Sequence, residues 1–340
     1  MVEEPTPQPL ADWLGEHVDA DAPFTWRRLT GGNSNHTYLV AAGDWRAILR
    51  RPPTATIDPS AHSVAREHRI MRALRDTPAP APDPLAFCDD VDVLGVPFLV
   101  MEHVPGHPIK DELPTDAPAQ PRAAREIGAA LIDALAALHA VPWREVGLAS
   151  FGRPEAFLAR QVPRWTKQYR RVQVRELPRF DEVAAALERL RPDDAEPAIV
   201  HCDFHADNSL IVFDEPARVS AILDWEMATI GDPMLDVAML LAFWGDDRSQ
   251  IRAFPEVQAF SRAAGAPTRQ ELAQRYAAAT GRSVERLDFY MALVLWKLAA
   301  IVEGAYAGHL AGHDDREYAR SLEHVVPALL EESAHHAGLD

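Results

Sequence analysis

Apolar and polar residues alternate along much of the first hundred residues, which is the pattern of half-buried β-strands. Glycine, proline and asparagine, which favour turns, separate these alternating runs. The pattern predicts strands within residues 24–32, 35–43, 44–51, 84–90 and 96–104. Turns are predicted at residues 43–44 and 92–95.

Helical periodicity interrupts the strands once and then dominates the rest of the chain. Val64, Ile70 and Leu74 recur near helical spacing and predict a helix over residues 61–74, with Ser60 as its N-cap. Later runs predict helices within residues 123–141, 154–169, 181–190, 270–279, 284–308 and 314–335. The order indicates an α+β protein with a strand-rich lobe at residues 1–103 and a mostly helical lobe at residues 104–340.

Composition narrows the class of protein. Of the 340 residues, 47% are hydrophobic and 25% are charged, the balance of an ordinary globular protein. The formal net charge of −17 argues against a nucleic-acid partner, which needs a basic face. The apolar stretch at residues 291–302 is short and contains Lys297, which predicts a core helix and no membrane span. Cys88 and Cys202 lie far apart, so no disulfide framework and a cytoplasmic location are expected.

The densest group of ionisable residues is the sequence HCDFHADN at residues 201–208, between two short apolar runs. Runs of this kind predict buried strands, so the polar residues are crowded into the connection between them. Alternate residues of an extended segment share one face, and such a face can bind zinc. A zinc-dependent hydrolase is therefore one interpretation, with His201, Asp203, His205 and Asp207 as ligands. No second closely spaced group of His or Cys residues follows to support it.

A phosphate-transfer site is the second interpretation. Protein kinases use an Asp that accepts the substrate proton, an Asn five positions later and a further Asp after the next strands. Asp203 and Asn208 have this separation, and Asp224 follows the next predicted strand. In such a site Asp203 faces the acceptor hydroxyl, while Asn208 and Asp224 bind Mg²⁺ at the transferred phosphate.

The order of the motifs resembles the aminoglycoside phosphotransferase and choline kinase group, relatives of the protein kinases. HCDFHADN resembles the catalytic loop H-G-D-x-H-x-x-N of that group, and ILDWEMATIGDPMLDVA resembles its metal-binding segment. LTGGNSNHTYLV and AILRRPP resemble its phosphate-side hairpin and third strand. The likeness is strongest to the subgroup related to the kinase-like domains fused to acyl-CoA dehydrogenases, through GGNSN, LRRPP and VAREHRIMRAL.

The resemblance implies a two-lobed protein-kinase-like fold that uses ATP, or another nucleoside triphosphate, together with Mg²⁺. The implied reaction transfers the γ-phosphate to a hydroxyl of a small molecule, with Asp203 as the catalytic base. His201 is implied to order the loop, and Asp236 to brace it. Cys202 is expected to be a core residue, because neighbouring residues of a strand point to opposite faces.

The nucleotide side departs from the protein-kinase pattern. Kinases carry a phosphate-holding Lys on the third strand, but no lysine precedes Lys110 here. Arg50, with Glu67 as its helix partner, is the preferred replacement, and Arg51 is the alternative. Ser34 of the hairpin is expected to face the phosphates. The hinge that holds adenine is predicted at Met101, Glu102, His103 and Val104.

Three questions stay open at this point. The missing lysine leaves a nucleotide-binding pseudokinase as a further interpretation. The acceptor is an aminoglycoside, a hydroxyacyl compound or another metabolite, and the subgroup likeness favours the last two. ATP and GTP are not distinguished, and the oligomeric state is not encoded in any recognisable pattern.

Overall fold

The computed structural model describes residues 4–21, 23–29, 35–53, 63–110, 112–245, 258–313 and 316–339. The N-terminal part contains the strands β1 Glu4–Pro5, β2 Thr25–Arg28, β3 His36–Ala42, β4 Trp45–Arg51, β5 Pro84–Cys88 and β6 Phe98–Glu102. They form one antiparallel sheet in the order β1-β2-β3-β4-β6-β5. The five strands predicted from alternation are therefore present, within a few residues of their expected bounds.

Two short helices in this part were not predicted. Helix α1, Gln8–His17, has a proline at its start and packs Leu10 and Leu14 into the apolar core of the sheet. Helix α3, Val91–Leu94, replaces the turn expected at residues 92–95. The Asp90 carboxylate caps α3 by accepting a hydrogen bond of 2.9 Å from the backbone nitrogen of Asp92, and Gly95 ends it in a left-handed conformation.

Helix α2 spans Val64–Leu74 and connects the sheet to the rest of the protein. Its N-cap is Ser63, whose hydroxyl accepts a hydrogen bond from the Arg66 nitrogen at 3.3 Å, so the predicted cap at Ser60 is wrong. Ser60 itself lies outside the described residues. The apolar face of α2 is buried in the larger of two cores, which continues through the helical part.

The remainder is mostly helical, as predicted. Helix α5 begins seven residues later than the expected start at residue 154, after a 3₁₀ turn at Leu158–Arg160. The helices are α4 Arg122–His139, α5 Gln161–Val172, α6 Pro178–Leu190, α7 Met234–Phe243, α8 Arg269–Thr280, α9 Leu287–Leu310 and α10 Glu317–His336. By length and composition α9 could cross a membrane, but 83% of its most apolar window is buried inside the fold, as in a core helix.

Two small antiparallel sheets support the polar loop at residues 201–208. Their strands are β7 His107–Pro108, β8 Ala198–Val200, β9 Ser209–Val212, β10 Arg218–Ile222 and β11 Thr229–Gly231. One sheet has the order β10-β9-β7 and the other the order β11-β8. The two strands that flank the loop, β8 and β9, are present as predicted but belong to different sheets and do not pair with each other. The loop crosses between the sheets and is held by both.

Candidate active site

A cavity of about 400 Å³ lies between the six-stranded sheet and the helical part. Its walls are largely apolar, with Ile48, Met71, Met101, Leu210 and Leu223 among the lining residues. The polar lining residues include Arg50, Glu67, Asn208 and Asp224. An apolar slot with a few convergent polar groups is typical of a ligand site.

The predicted hinge residues lie along this cavity. Met101, Glu102, His103 and Val104 all line it. The sheet pairing of β6 ends at Glu102, so His103 and Val104 follow beyond the last paired residue. Their part in binding adenine stays a prediction, as does the lobe boundary placed here. Ser34 lies outside the described residues.

Arg50 occupies the polar end of the cavity and is only 8% exposed. Its Nε lies 3.4 Å from Glu67 Oε2, and its Nη2 lies 2.9 Å from Asp224 Oδ1. Arg51, its neighbour on β4, instead places its guanidinium 5.8 Å from the centre of the Tyr38 ring. Arg50 is therefore the arginine that faces its predicted partner Glu67, and it also contacts the predicted metal ligand Asp224; its contact with a nucleotide stays a prediction.

Three carboxylates share this one buried arginine. Burial raises the pKa of Glu67 to about 7, against the effect of Arg50 and with the help of Asp224 and Glu226. The pKa of Arg50 is also raised, because the surrounding carboxylates outweigh burial, which by itself would lower it. Asn35 joins the group, because its Nδ2 lies 2.9 Å from Glu67 Oε1 and 3.4 Å from Glu226 Oε2.

The predicted base, Asp203, is held by Asn208. The Asn208 amide donates hydrogen bonds of 2.9 Å to the Asp203 Oδ2 and to the Asp203 backbone carbonyl. His205 Nε2 lies 3.7 Å from Asp203 Oδ1, which is ion-pair range and too long for a hydrogen bond. Burial opposes ionisation of Asp203, but the charges of His205, His201 and Lys297 outweigh it and hold its pKa below the usual range. The Asp203 carboxylate is therefore ionised at neutral pH, and its role as catalytic base stays a prediction.

His201 and Asp236 brace the loop. His201 is fully buried, and its Nε2 donates to the Leu223 carbonyl at 2.8 Å. The Asp236 carboxylate at the start of α7 accepts hydrogen bonds of 2.6 Å and 2.7 Å from the backbone nitrogens of His201 and Cys202. Both side chains thus fix the loop, which agrees with the roles that the resemblance implies.

Cys202 differs from the expectation of a core residue on a strand. Strand β8 ends at Val200, and Cys202 adopts a left-handed conformation with φ of 68° while remaining partly exposed. The group pattern has glycine at this position, the residue that adopts positive φ without strain. Desolvation raises the pKa of the Cys202 thiol to about 12, so it is not a thiolate nucleophile.

The oxygen atoms of Asn208 and Asp224 fit a hard cation such as Mg²⁺. Asn208 uses its nitrogen for Asp203, and its Oδ1 accepts no hydrogen bond from the described residues. Asp224 has a left-handed backbone conformation with φ of 65°. Its Oδ2 likewise accepts no hydrogen bond from the described residues. A zinc cage is not supported, because no group of three or more His, Cys, Asp or Glu residues in the described part of the chain could hold a metal ion.

The loop at residues 201–208, the segment that contains Asp224 and the buried Arg50 thus meet at one cavity, and a comparison with known proteins agrees. The model of the phosphotransferase enzyme family matches residues 25–290. The chain belongs to this family. A crystal structure of a candidate aminoglycoside phosphotransferase from Ralstonia eutropha JMP134 has a TM-score of 0.82 and 27% identity, covering 98% of this chain and 99% of that one. The two-lobed protein-kinase-like fold is thereby confirmed.

Two further proteins are similar to this chain, one in sequence and one in fold. Acyl-CoA dehydrogenase family member 11 from Gallus gallus is 36% identical over 310 residues, which cover 90% of this chain but only 39% of that protein. The predicted likeness to that subgroup is confirmed. Spectinomycin phosphotransferase, solved with ADP and spectinomycin, shares the fold with a TM-score of 0.58 and 14% identity, covering 98% of this chain and 99% of that one.

Three residues at the site were not identified from the sequence. Asn35 ends the motif GGNSN and Glu226 lies within the motif ILDWEMATIGDPMLDVA, so the motifs contained both residues without indicating their contact. Lys297 reaches the loop from α9, where its Nζ donates to the Cys202 carbonyl at 3.0 Å. The sequence feature that could have pointed to Lys297 is its position as the one charged residue in the apolar stretch at residues 291–302.

Proposed function

We propose that this phosphotransferase-family protein transfers the γ-phosphate of ATP to a hydroxyl of a small molecule, with Mg²⁺ as cofactor. The observation that carries the proposal is the convergence of Asp203, Asn208, Asp224 and Arg50. Asn208 contacts Asp203 at 2.9 Å, and Asp224 contacts Arg50 at the same distance. A backbone hydrogen bond of 2.7 Å from Leu223 to the Asn208 carbonyl ties the two halves together.

The cavity suits an adenine nucleotide. Its apolar walls can enclose a flat base, and its far end presents the Arg50 guanidinium, which binds phosphate through charge-assisted hydrogen bonds. The similar spectinomycin phosphotransferase was solved with ADP, which supports the same ligand class here. Mg²⁺, bound by Asn208 and Asp224, would neutralise charge on the transferred phosphate.

Asp203 performs the proton transfer in this proposal. The acceptor hydroxyl donates a hydrogen bond to the ionised carboxylate, its oxygen forms a bond to the γ-phosphorus, and its proton passes to Asp203. The bond between the γ-phosphorus and the bridging oxygen breaks, and ADP leaves. Asn208 and His205 keep the carboxylate oriented before the acceptor arrives.

The acceptor is proposed only as a hydroxyl-bearing small molecule. The subgroup likeness favours a hydroxylated acyl compound over an aminoglycoside, although the chain spans only about two fifths of its first relative. Efficient phosphorylation of kanamycin-like compounds would contradict this preference.

The test is a screen with γ-labelled ATP, Mg²⁺ and an unbiased set of hydroxyl compounds that includes aminoglycosides and hydroxyacyl thioesters. The parent protein should label one class of acceptor. Asp203→Asn should bind Mg-ATP normally but transfer about 10² to 10⁴ times more slowly. Transfer by Asp203→Asn at the parent rate would refute this role. Tight ATP binding without transfer to any metabolite would indicate a pseudokinase instead.

A further inference from the structure

Lys297 is a buried cation that forms no close ion pair with a carboxylate of the described residues, and its charge acts on Asp203 from a longer distance. The residue is 5% exposed and lies in the middle of α9. Its ammonium donates to the Cys202 carbonyl at 3.0 Å and lies 5.3 Å from the centre of the Trp165 ring. Among the described residues, no carboxylate lies within 4.0 Å of this ammonium. Burying an unpaired charge is costly, and an apolar side chain of similar size would stabilise the core more, so the lysine serves another purpose.

Lys297 binds the carbonyl of Cys202, a residue with a strained backbone conformation. Cys202 has φ of 68°, where a residue with a Cβ atom is disfavoured relative to glycine. Its nitrogen donates to Asp236 at 2.7 Å, and its carbonyl accepts from Lys297. The two polar groups of this one residue are therefore fixed from two different helices. Strained conformations persist where the surroundings hold them in this way.

The next residue along the chain is Asp203, so the conformation of Cys202 sets the direction in which the catalytic carboxylate leaves the backbone. A change of Cys202 to negative φ would redirect Asp203 away from Asn208. The nitrogen side is held by Asp236, whose carboxylate also fixes His201. The carbonyl side is held by Lys297.

We propose that Lys297 is a positioning residue, which pins the left-handed conformation of Cys202 and thereby aims Asp203 at the acceptor hydroxyl. The catalytic consequence rests on the proposed phosphotransfer function. The conformational consequence does not, so the two can fail separately.

The first variant is Lys297→Met, which keeps an unbranched side chain of similar length and removes the donor. The fold should tolerate it, because a buried charge is replaced by an apolar group. In its crystal structure φ of Cys202 should become negative and Asp203 should separate from Asn208. The turnover number for the acceptor found by the screen should fall about 10- to 100-fold, because a small misplacement of a catalytic group has effects of this size. The KM for Mg-ATP should not change.

The second variant adds Cys202→Gly to Lys297→Met. Glycine adopts positive φ without the lysine, so the left-handed conformation and most of the lost turnover should return. A residue needed only for packing of α9 would not be rescued from this position. Ser333→Ala is the matched control, because it removes a buried hydrogen bond of 2.7 Å to the Ala292 carbonyl of the same helix, away from the loop. It should keep the parent turnover number.

The outcomes are decisive with or without an acceptor. Positive φ at Cys202 in the Lys297→Met crystal structure would overturn the proposal even if no acceptor is found. Parent turnover in Lys297→Met, or failure of Cys202→Gly to restore any of a lost activity, would also overturn it. A relaxed loop in a protein that transfers phosphate to nothing would support the positioning role and refute the proposed function alone.

Discussion

The Arg50 side chain is the buried cation nearest to the predicted metal ligands, and its removal should weaken Mg-ATP binding. In Arg50→Met the apolar part of the side chain is kept while the guanidinium is lost. Hydrogen bonds to charged groups contribute about 1.5–3 kcal/mol each. Loss of one such bond to phosphate therefore predicts a dissociation constant about 10- to 150-fold higher.

The same substitution also affects stability, because Glu67 is 1% exposed and loses its cation. Breaking a buried pair by removing one partner costs about 3–5 kcal/mol when the remaining group stays charged. Glu67 already has a pKa of about 7, so it can protonate and limit this cost near neutral pH. The variant Arg50→Met/Glu67→Gln removes both charges and should recover stability without recovering Mg-ATP affinity.

Isothermal titration calorimetry with Mg-ATP gives the affinities, and urea unfolding gives the stabilities. Arg51→Met is the matched control, because Arg51 is the adjacent arginine and lies against Tyr38. It should change the Mg-ATP affinity less than twofold. Parent affinity in folded Arg50→Met would remove Arg50 from the nucleotide site, and a large loss in Arg51→Met would transfer the role to Arg51. Recovery of affinity in the double variant would show that the loss came from distortion of the fold.

Two further predictions concern the acidic residues of the site. Asp224→Asn should raise the Mg²⁺ concentration needed for nucleotide binding by at least about 10-fold, because even changes to residues behind the metal ligands weaken metal binding by this factor. Asn208→Ala should have the same effect more mildly. An unchanged Mg²⁺ titration in either variant would exclude the replaced residue as a ligand. Glu67 has a pKa raised from 4.5 to about 7, so the native state binds its proton more tightly than the unfolded state. The stability from this proton is fully present below pH 4.5 and is lost as the pH rises through 7, by about 3 kcal/mol. Urea unfolding in EDTA should show this fall in the parent and not in Glu67→Gln, and a parallel pair of pH curves would contradict it.

The parts of the site that lie close together in the chain could be predicted from sequence. Asp203, Asn208 and Asp224 depend on one loop and one strand pair, so their spacing carries the geometry. The strands of the N-terminal sheet were predictable for a similar reason, since alternation with period two reflects burial of one face. Helix α1 was missed because only Leu10 and Leu14 of its ten residues are buried, and the core that they contact is formed by segments distant in the chain.

Contacts between distant segments could not be predicted in this way. The interaction of Asn35 with Glu226 spans 191 positions, and that of Lys297 with Cys202 spans 95. Neither pair has a spacing rule, because the contact depends on how complete lobes and helices pack. The conformation of Cys202 is a related case: the glycine of the group pattern marked a position of positive φ, but the hydrogen bonds that allow cysteine there come from α7 and α9.

The charges at the Arg50 end of the cavity bear on the form in which the proposed nucleotide would bind. Glu67, Asp224 and Glu226 surround Arg50, so these four described residues carry an excess of negative charge whenever all three carboxylates are ionised. Free ATP is itself strongly anionic and would be repelled there. A divalent cation reverses this balance, because it interacts favourably with the phosphates and with Asp224 at once. The acidic character of the site is therefore compatible with a metal–nucleotide complex as the ligand and unfavourable for the free nucleotide, which is why the Mg²⁺ dependence of Asp224→Asn is an informative measurement.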